Sequence, residues 1–263
     1  MSSSDEAEPR ELPLSPEKGV TRRGEVVSRP AAAWTPAVHR LLEHLQAQGF
    51  TAAPRVLHSP AAGEPEQLVF VHGEFVHPRP WSDAGLTAMG ALLRQLHEAA
   101  IAFEPPSGAV WQPWFLRELG GPNRIISHGD IAPWNVVTRA GLPVALIDWE
   151  FAGPIDPLTE LARVCWLFAQ LHGPDVTALH GLPPAEVRAA QVRRIAEAYG
   201  ASPEQRHALV ERMIEVAVYE TAFEADERQV GPDSAGPQWG FAWRARAAAW
   251  MLGHRDLLQR ALL

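Results

Sequence analysis

Short apolar stretches separated by turn-forming residues dominate the first third of the sequence. They are rich in residues that favour strands, and Gly, Pro or charged residues bound them. This composition predicts strands, and the turn Arg22-Arg23-Gly24 predicts a hairpin between the first two. The predicted strands are Gly19–Thr21, Glu25–Ser28, Arg55–Leu57 and Gln67–Val71. We therefore expect a small antiparallel sheet.

One amphipathic helix interrupts these strands. Thr35 is a suitable N-cap, Pro36 fits the first helical turn, and Gly49 fits the C-terminal cap. The apolar side chains recur at helical spacing, at Val38, Leu41, Leu42 and Leu45. The pattern predicts a helix over about 35–48 with one buried face.

From about residue 82 the apolar spacing becomes helical. Leu86, Met89 and Leu93 begin the first helix of this region, and a connector rich in Pro and Gly follows over 104–123. One hairpin is inserted, with predicted strands Asn135–Arg139 and Val144–Asp148. Further helices are predicted from Asp156 to about Leu171 and over roughly 184–199, 203–227 and 239–261.

These elements predict an α+β fold with two lobes. Residues 1–17 are polar and contain prolines, which predicts a mobile tail. Residues 18–72 would form an N-terminal lobe with the small sheet and one helix. Residues 73–263 would form a large, mostly helical C-terminal lobe, and Gly73 is the expected hinge between the two.

Composition and charge narrow the functional classes. The 263 residues carry a net charge of −8, which argues against a nucleic-acid partner. No apolar run reaches the ~18 residues of a membrane helix, so no membrane association is expected. The polar amino terminus lacks the apolar segment of a signal peptide, which favours a cytoplasmic protein. Cys165 is the only cysteine and lies in an apolar helical run, so we expect a buried, inert thiol. The oligomeric state is open.

The inserted hairpin suggests a metal site. If Arg139 lies opposite Val144, antiparallel pairing places Asn135 opposite Asp148 at the open end. Directly opposite residues have Cβ atoms ~4.5–5.5 Å apart, so two side-chain oxygens could reach one Mg²⁺ at ~2.1 Å. Mg²⁺ prefers oxygen ligands and keeps positions for water and phosphates. The hairpin therefore predicts Asn135 and Asp148 as metal ligands.

Asp130 precedes this hairpin on a loop that contains Pro133. A carboxylate there can orient or accept the proton of a substrate hydroxyl. Phosphoryl transfer asks little more of a protein than positioning and charge neutralisation. Asp130, Asn135 and Asp148 thus supply a base, an amide and a carboxylate, and we predict that all three are catalytic.

A recognisable motif runs through the same region. The string ISHGDIAPWNVV over 126–137, followed by LIDWE over 146–150, resembles the catalytic core of the aminoglycoside phosphotransferase and choline kinase superfamily. GPIDP over 153–157 and ELA over 160–162 are similar to the stretch that follows in that family. The resemblance implies a protein-kinase-like fold that binds ATP and Mg²⁺ between its two lobes.

The resemblance also implies roles for individual residues. Asp130 would be the catalytic base, Asn135 and Asp148 the Mg²⁺ ligands, and His128 a structural member of the catalytic loop. The hinge facing the adenine of the nucleotide would comprise Phe70, Val71, His72 and Gly73.

The acceptor would lie on the helical lobe in such a fold. Glu220 and Glu224 share one face of a predicted helix and would hold ammonium groups of a substrate. A solvated helix face is the alternative for these two acids.

The nucleotide-binding half departs from the family pattern. Kinase-like folds usually carry a lysine on the third strand, paired to a helix glutamate. Arg29 is the best substitute here, because it always carries charge and can fork onto phosphate oxygens; a solvated strand-end charge is the alternative. His39 or Glu43 could replace the helix acid. No glycine-rich loop precedes the first predicted strand, which leaves Ser15 and Lys18 as candidates for phosphate binding.

The sequence therefore predicts an ATP- and Mg²⁺-dependent phosphotransferase that acts on a hydroxyl of a small molecule, with aminoglycoside-like antibiotics as one acceptor class. Its partners would be that small molecule and the nucleotide. The reduced nucleotide-binding half supports an alternative, a catalytically reduced kinase-fold binding or immunity protein that sequesters a toxin or an antibiotic. A kinase of a larger partner, such as a protein, is a third and weaker hypothesis.

Overall fold

A computed structural model shows a small sheet followed by a larger helical region. It describes residues 10–61, 63–231, 233–234, 236 and 239–263. The first sheet contains β1 Glu11–Ser15, β2 Val20–Arg23, β3 Val26–Arg29, β4 Val56–His58 and β5 Glu66–Val69. These strands pair antiparallel in the order β1-β2-β3-β5-β4. Helix α1, Thr35–Ala47, joins β3 to β4, so the predicted sheet with one helix is confirmed.

Strand β1 corrects the prediction of a tail. Glu11 lies opposite Arg23 and Pro13 opposite Thr21, so this segment forms an edge of the sheet. Pro16–Lys18 continue it as a short 3-10 turn. The prolines suggested a tail, but an edge strand tolerates proline because no further strand needs its missing N–H. Residues 1–9 of the predicted tail lie outside the described residues.

Helix α1 has the predicted buried face. The residues that form it are Val38, Leu41, Leu42 and Leu45. Thr35 is the first helical residue rather than the N-cap, and its hydroxyl accepts a hydrogen bond from Ala32 N–H at 2.9 Å. Gly49 follows the helix with a φ of 83°, as expected for the end of a helix.

The rest of the chain is largely helical, as predicted. Its helices are α2 Asp83–Ala100, α3 Pro157–Phe168, α4 Pro174–His180, α5 Ala185–Tyr199, α6 Pro203–Glu227, α7 Trp239–Gly253 and α8 Arg255–Leu262. The helix predicted over 239–261 is divided at His254. Across the described parts of the chain, no helix is both long and apolar enough to cross a membrane.

Two small sheets lie among these helices. β6 Ile125–Ser127 pairs with β9 Gly153–Ile155, and β7 Val136–Arg139 pairs with β8 Leu142–Leu146. The first pair brings the start of the catalytic loop beside the segment that follows Asp148. The sequence analysis did not predict β6 and β9, which have three residues each and are paired through contacts distant in sequence.

The central helix of this region is α3. Its residues from Thr159 to Phe168 are all buried, and Trp166 and Phe168 are among the largest buried side chains of the core. Cys165 on this helix is fully buried, and burial raises the pKa of its thiol, as expected for an inert cysteine. Glu160 and Arg163 are the charged residues in this apolar surrounding, and buried charges require partners.

The β7–β8 hairpin has a different register from the predicted one. Val136 lies opposite Leu146, so Asn135 faces Ile147, whose N–H donates to Asn135 O at 2.9 Å. The turn consists of two residues, Ala140 and Gly141, with φ values of 50° and 74°. Such a turn is the tightest hairpin connection, whereas the prediction assumed a longer one. A bulge between Val137 and Thr138 shifts the register again. Placing Asn135 directly opposite Asp148 was therefore wrong by one residue.

Candidate active site

The predicted catalytic loop, residues 128–135, connects β6 to β7 and is anchored on α3. Gly129 has a φ of 79°, and a Cβ there would collide with Phe151 O, so only glycine fits. Gly129 N–H donates to Glu160 Oε1 at 2.6 Å, and Ser127 Oγ donates to Glu160 Oε2 at 2.6 Å. One buried carboxylate of α3 therefore fixes the start of the loop.

Glu160 keeps its charge although it is fully buried. Burial opposes ionisation, but hydrogen bonds from His97, Ser127 and Gly129 outweigh it, and the pKa of Glu160 lies below its usual value. His97 Nε2 lies 2.7 Å from Glu160 Oε2, and His97 Nδ1 lies 2.8 Å from the hydroxyl of Tyr199. The anchor of the loop thus extends to α2 and α5.

His128 makes the contacts of a scaffold residue. Its Nδ1 accepts a hydrogen bond from Asp130 N–H at 3.1 Å, and its Nε2 lies 3.0 Å from Ile147 O. Burial lowers the pKa of His128, which favours the neutral ring with the proton on Nε2, donating to that carbonyl. His128 thereby connects the catalytic loop to the chain just before Asp148.

Asp130 is the carboxylate at the centre of the loop. It is 9% exposed, its Oδ2 accepts a hydrogen bond from Asn135 Nδ2 at 2.9 Å, and its Oδ1 forms an ion pair with Arg163 at 2.8 Å. Burial raises the pKa of Asp130 to about 6, although Arg163 opposes the shift. A carboxylate with a pKa near the working pH suits a general base.

Asp148 follows β8 in a left-handed conformation. Its φ is 63°, which is uncommon for a residue other than glycine and turns the chain out of the strand. Two cations contact its carboxylate: Arg29 Nη1 lies 3.0 Å from Oδ1, and Lys18 Nζ lies 3.2 Å from Oδ2. Although the predicted register was wrong by one residue, Asn135 and Asp148 still lie at the same end of the hairpin. The left-handed turn at Asp148, not strand pairing, directs the Asp148 side chain.

Asn135 and Asp148 are chemically suited to Mg²⁺. Both offer hard oxygen donors, and Asn135 uses its Nδ2 for Asp130, so its hydrogen bond to the base does not occupy its oxygen. Among the described residues, no cluster of three His, Cys, Asp or Glu side chains could hold a metal ion. A pair of protein ligands with phosphates and water completing the shell is the usual arrangement for Mg²⁺. The donor set fits such an ion.

Arg29 lies at the end of β3 beside Asp148. Its Nε forms an ion pair with Glu66 on β5, and the other Glu66 oxygen lies 2.6 Å from His39 Nε2. Burial opposes the charge of Glu66, but His39 and Arg29 outweigh it and lower its pKa. His39 therefore supports an acid from the sheet instead of replacing the expected helix acid. Glu43 is an exposed partner of Arg40 and takes no part.

A cavity of about 460 Å³ opens between the sheet and the segment after Asp148. Residues of both regions line it, among them Lys18, Arg29, Glu66, Glu150 and Phe151. Its volume lies in the range of small-molecule sites.

The predicted hinge links β5 to the helical region. Phe70 N–H donates to Glu25 O at 2.8 Å, and the Arg22 guanidinium lies 3.5 Å from the centre of the Phe70 ring. A Cβ on Gly73 would collide with Thr138 O, so glycine permits the close contact with β7. The next residue, Glu74, exchanges two backbone hydrogen bonds with Thr138. Contacts of Phe70, Val71, His72 and Gly73 with an adenine stay predictions, as does the lobe boundary at residue 72.

The two candidate substrate acids are paired with arginines. Glu220 is 3% exposed and forms ion pairs with Arg163 at 3.2 Å and with Arg244 at 3.3 Å. Glu224 pairs with Arg244 and, at 2.6 Å, with Arg228. Acidic and basic side chains therefore alternate in a chain of ion pairs that runs from Asp130 through Arg163 and Glu220 to the surface of α6. Contact of Glu220 and Glu224 with a substrate stays a prediction, and such a substrate would compete with these arginines.

The sequence interpretation missed several residues of this site. Glu66 was excluded because the strand was predicted to begin one residue later, and the inward-facing His39 was the available signal for a buried acid. Arg163 was overlooked within the apolar run around Cys165. An arginine on the buried face of such a helix indicates a carboxylate partner in the core, here Asp130 and Glu220.

The fold and the loop around Asp130 together define a class of protein. A small antiparallel sheet with one helix, followed by a helical region that carries the HGD-x4-N loop, is the architecture of kinase-like phosphotransferases. The chain belongs to the phosphotransferase enzyme family, whose sequence profile matches residues 22–124 and 109–209. The resemblance to aminoglycoside phosphotransferases and choline kinases is thereby confirmed.

Three similar proteins illustrate this family and fold. The trifolitoxin immunity protein of Rhizobium leguminosarum bv. trifolii is 47% identical over 247 residues, covering 92% of this chain and 94% of that protein. A choline/ethanolamine kinase family protein from Mesorhizobium loti superposes with a TM-score of 0.56 at 18% identity, covering 92% and 88%. An amicoumacin kinase in complex with AMP-PNP and Ca²⁺ gives a TM-score of 0.61 at 12% identity, covering 97% and 86%. The two solved structures support the fold alone.

Proposed function

We propose that the protein is an ATP- and Mg²⁺-dependent phosphotransferase whose acceptor is a hydroxyl of a small molecule. The catalytic loop carries this proposal: Asp130 is held between Asn135 and Arg163, with a pKa of about 6. A pure binding protein has no need for a carboxylate kept buried at this cost.

The residues would act in the following way. Asp130 orients the acceptor hydroxyl and accepts its proton as the hydroxyl oxygen attacks the γ-phosphorus, while the bond from that phosphorus to the β–γ bridging oxygen breaks and ADP leaves. Asn135 and Asp148 would hold Mg²⁺, which neutralises charge on the β- and γ-phosphates when bound. Arg29, anchored by Glu66, adds a fixed positive charge beside Asp148. The hinge Phe70–Gly73 would receive the adenine, and a cytoplasmic location would supply ATP.

The acceptor is proposed to be a toxin or an antibiotic. The relative at 47% identity is named for immunity to trifolitoxin, and its similarity extends over 92% of this chain. Aminoglycosides would need free acids for their ammonium groups, whereas Glu220 and Glu224 have arginine partners. This pairing favours a hydroxyl compound with fewer positive charges than an aminoglycoside.

Transfer of the γ-phosphate tests the proposal. The protein would be incubated with γ-labelled ATP, with and without Mg²⁺, and with a panel of peptide toxins, antibiotics, amino alcohols and aminoglycosides. We expect label on one acceptor class only in the presence of Mg²⁺ and not with Asp130→Asn. Equal label transfer by Asp130→Asn would contradict the assignment of the base.

A second candidate is a kinase-fold immunity protein that sequesters its toxin. The lack of a glycine-rich loop and the name of the relative favour it. Cells that express Asp130→Asn or Asp148→Ala distinguish the two functions. Loss of protection in both variants supports phosphorylation, and full protection by both supports sequestration.

A further inference from the structure

The connection between β1 and β2 occupies the place of the phosphate-covering loop in kinase-like folds. Here it is a tight turn. Pro16–Lys18 form one 3-10 turn, and Gly19 follows with a φ of 64°. A single glycine and a proline give this segment little freedom to wrap its backbone N–H groups around phosphates. If the protein binds a nucleotide, another group must contact the phosphates from this side.

Lys18 provides a charged group at the end of this turn. It is the only lysine in the sequence; all other fixed cationic side chains are arginines. Its Nζ lies 2.6 Å from Glu150 Oε1 and 3.2 Å from Asp148 Oδ2. The ammonium is therefore held at the mouth of the proposed metal site.

Lys18 and Arg29 contact the same carboxylate but differ in freedom. Arg29 is 15% exposed, and Glu66 fixes its guanidinium from the buried side. Lys18 is 48% exposed, and both of its contacts are made across the cleft by a flexible four-carbon stem. Both residues line the 460 Å³ cavity. Arg29 is thus a fixed cation, and Lys18 is one that can move by a few ångströms without disturbing the core.

We propose that Lys18 is the phosphate-binding residue that replaces the glycine-rich loop, exchanging the carboxylates of Asp148 and Glu150 for nucleotide phosphates. The exchange frees one Asp148 oxygen for the metal at the moment when the phosphates arrive. It also keeps the carboxylate charges of the cleft compensated before the nucleotide binds. This inference rests on the proposed function, because it requires a nucleotide in the cleft.

A purely structural role for Lys18 gives different expectations. An ion pair with one partner half exposed contributes little to stability, because water compensates both charges. If closing the turn were its only task, removing the ammonium would change the unfolding temperature slightly and leave nucleotide affinity unchanged.

Calorimetric titration with AMP-PNP and Mg²⁺ tests the proposal on the full chain. Lys18→Met removes the charge and keeps the length of the side chain, whereas Lys18→Arg restores the charge. Arg94→Met is a control of similar exposure, because Arg94 is 47% exposed and pairs with an acid of its own helix, Glu98 on α2. We expect about tenfold weaker binding for Lys18→Met, partial recovery for Lys18→Arg, and wild-type affinity for Arg94→Met.

The Glu150→Gln variant makes the test sharper. It removes the acid closest to Lys18, so we expect tighter nucleotide binding by a few fold. The loss of a negative charge near the phosphates would by itself also tighten nucleotide binding, without any movement of Lys18. The double variant with Lys18→Met separates these effects. A smaller gain in the Lys18→Met background supports the exchange, and an equal gain in both backgrounds contradicts it.

The outcomes distinguish this inference from the proposed function. Mg²⁺-dependent binding by the wild type, with Lys18→Met within twofold of it, overturns the role of Lys18 and leaves the phosphotransferase proposal intact. Failure of the wild type to bind AMP-PNP overturns both. Thermal unfolding without nucleotide checks that each variant is folded.

Discussion

Charged groups on the two sides of the cleft lie at different depths. On the catalytic side, Asp130, Glu160 and Arg163 are at least nine-tenths buried, and each has fixed partners in the protein. On the phosphate side, Arg29 and Glu66 are also largely buried, at 15% and 1% exposed, but the side chains of Lys18 and Asp148 are 48% and 28% exposed. Buried charges need permanent partners because water does not compensate them, whereas exposed pairs exchange partners at small cost.

This difference matches what each side must do in a kinase. A base has to stay within hydrogen-bond reach of one hydroxyl, because small displacements reduce the rate strongly. A nucleotide site has to accept and release a highly charged ligand in every cycle. Under the proposed function, the buried partners of Asp130 suit a fixed base, and the partly exposed Lys18 and Asp148 suit a site that exchanges partners.

The largest expected effect concerns Asp130. Asp130→Asn should lower kcat about 10²–10⁴-fold, because the side chain can no longer accept the proton of the hydroxyl. The affinity for AMP-PNP should remain close to that of the wild type. Steady-state kinetics on the accepted substrate, with calorimetry on the nucleotide, measure both. A loss of nucleotide affinity equal to the loss in kcat would show that the variant disturbs the whole cleft.

Glu160 tests the rigidity of the catalytic side. Glu160→Ala leaves Gly129 N–H, Ser127 and His97 without their buried acceptor. We expect the free energy of unfolding to fall by about 3–5 kcal/mol in urea titrations.

The control for this loss is an exposed glutamate in an ion pair. Glu43→Ala removes a partner of Arg40 on the surface of α1 and should cost less than about 1 kcal/mol. Similar losses of unfolding free energy for Glu160→Ala and Glu43→Ala would contradict the idea that buried and exposed ion pairs contribute differently to stability.

Asp148 tests the exchangeable side. Asp148→Ala should abolish the Mg²⁺ dependence of nucleotide binding, because it removes one of the two proposed metal ligands. Titrations of AMP-PNP with Mg²⁺ and with EDTA measure this difference. Retention of the full Mg²⁺ effect would place the metal on other residues. The unfolding temperature should change little, since the carboxylate is partly exposed.

A pH profile should report the ionisation of Asp130. Because the base must be ionised, kcat/KM should rise with pH through about 6. Glu220 raises the pKa of Asp130 through its negative charge, so Glu220→Gln should move this limb to lower pH. An unchanged limb would assign the titration to another group.

The raised pKa of Asp130 also makes the stability of the fold depend on pH. The pKa of Asp130 in the fold lies above the ordinary value of 3.8, so its protonated form favours folding. This contribution is complete below about pH 3.8 and is lost as the pH rises through about 6.

The smallest expected effect lies at the hinge. Arg22→Met removes the guanidinium from the Phe70 ring and should lower the free energy of unfolding by about 0.5–1 kcal/mol. Urea titrations of the two proteins measure it. A loss comparable to that of Glu160→Ala would show that this half-buried contact is as important as the buried network.

Local chemistry made part of this molecule predictable from sequence. The catalytic loop and the segment that follows the hairpin were located because their spacing is fixed by a few covalently linked residues. The sheet without β1, its helix and the helical region followed from apolar spacing together with turn and cap residues. The hairpin register failed because a turn of two residues and a bulge, both local backbone details, decide the pairing.

Contacts between distant residues were the part that periodicity could not provide. Glu66 meets Arg29 and His39 only after β3, α1 and β5 assemble. Arg163 and Glu220 are 57 positions apart and meet through the packing of α3 on α6. Side chains of this kind look like surface charges in a linear pattern until their burial is known.

The scarcity of lysine has a practical consequence for labelling chemistry. Reagents that acylate amines will find a single side-chain target in this protein, and it lies at the mouth of the cleft. The extent of acylation of the peptide that contains Lys18, measured by mass spectrometry, would then report how accessible the ammonium is with and without a nucleotide. One acyl group at residue 18 becomes a built-in probe of cleft occupancy, obtained without introducing a reporter by mutation.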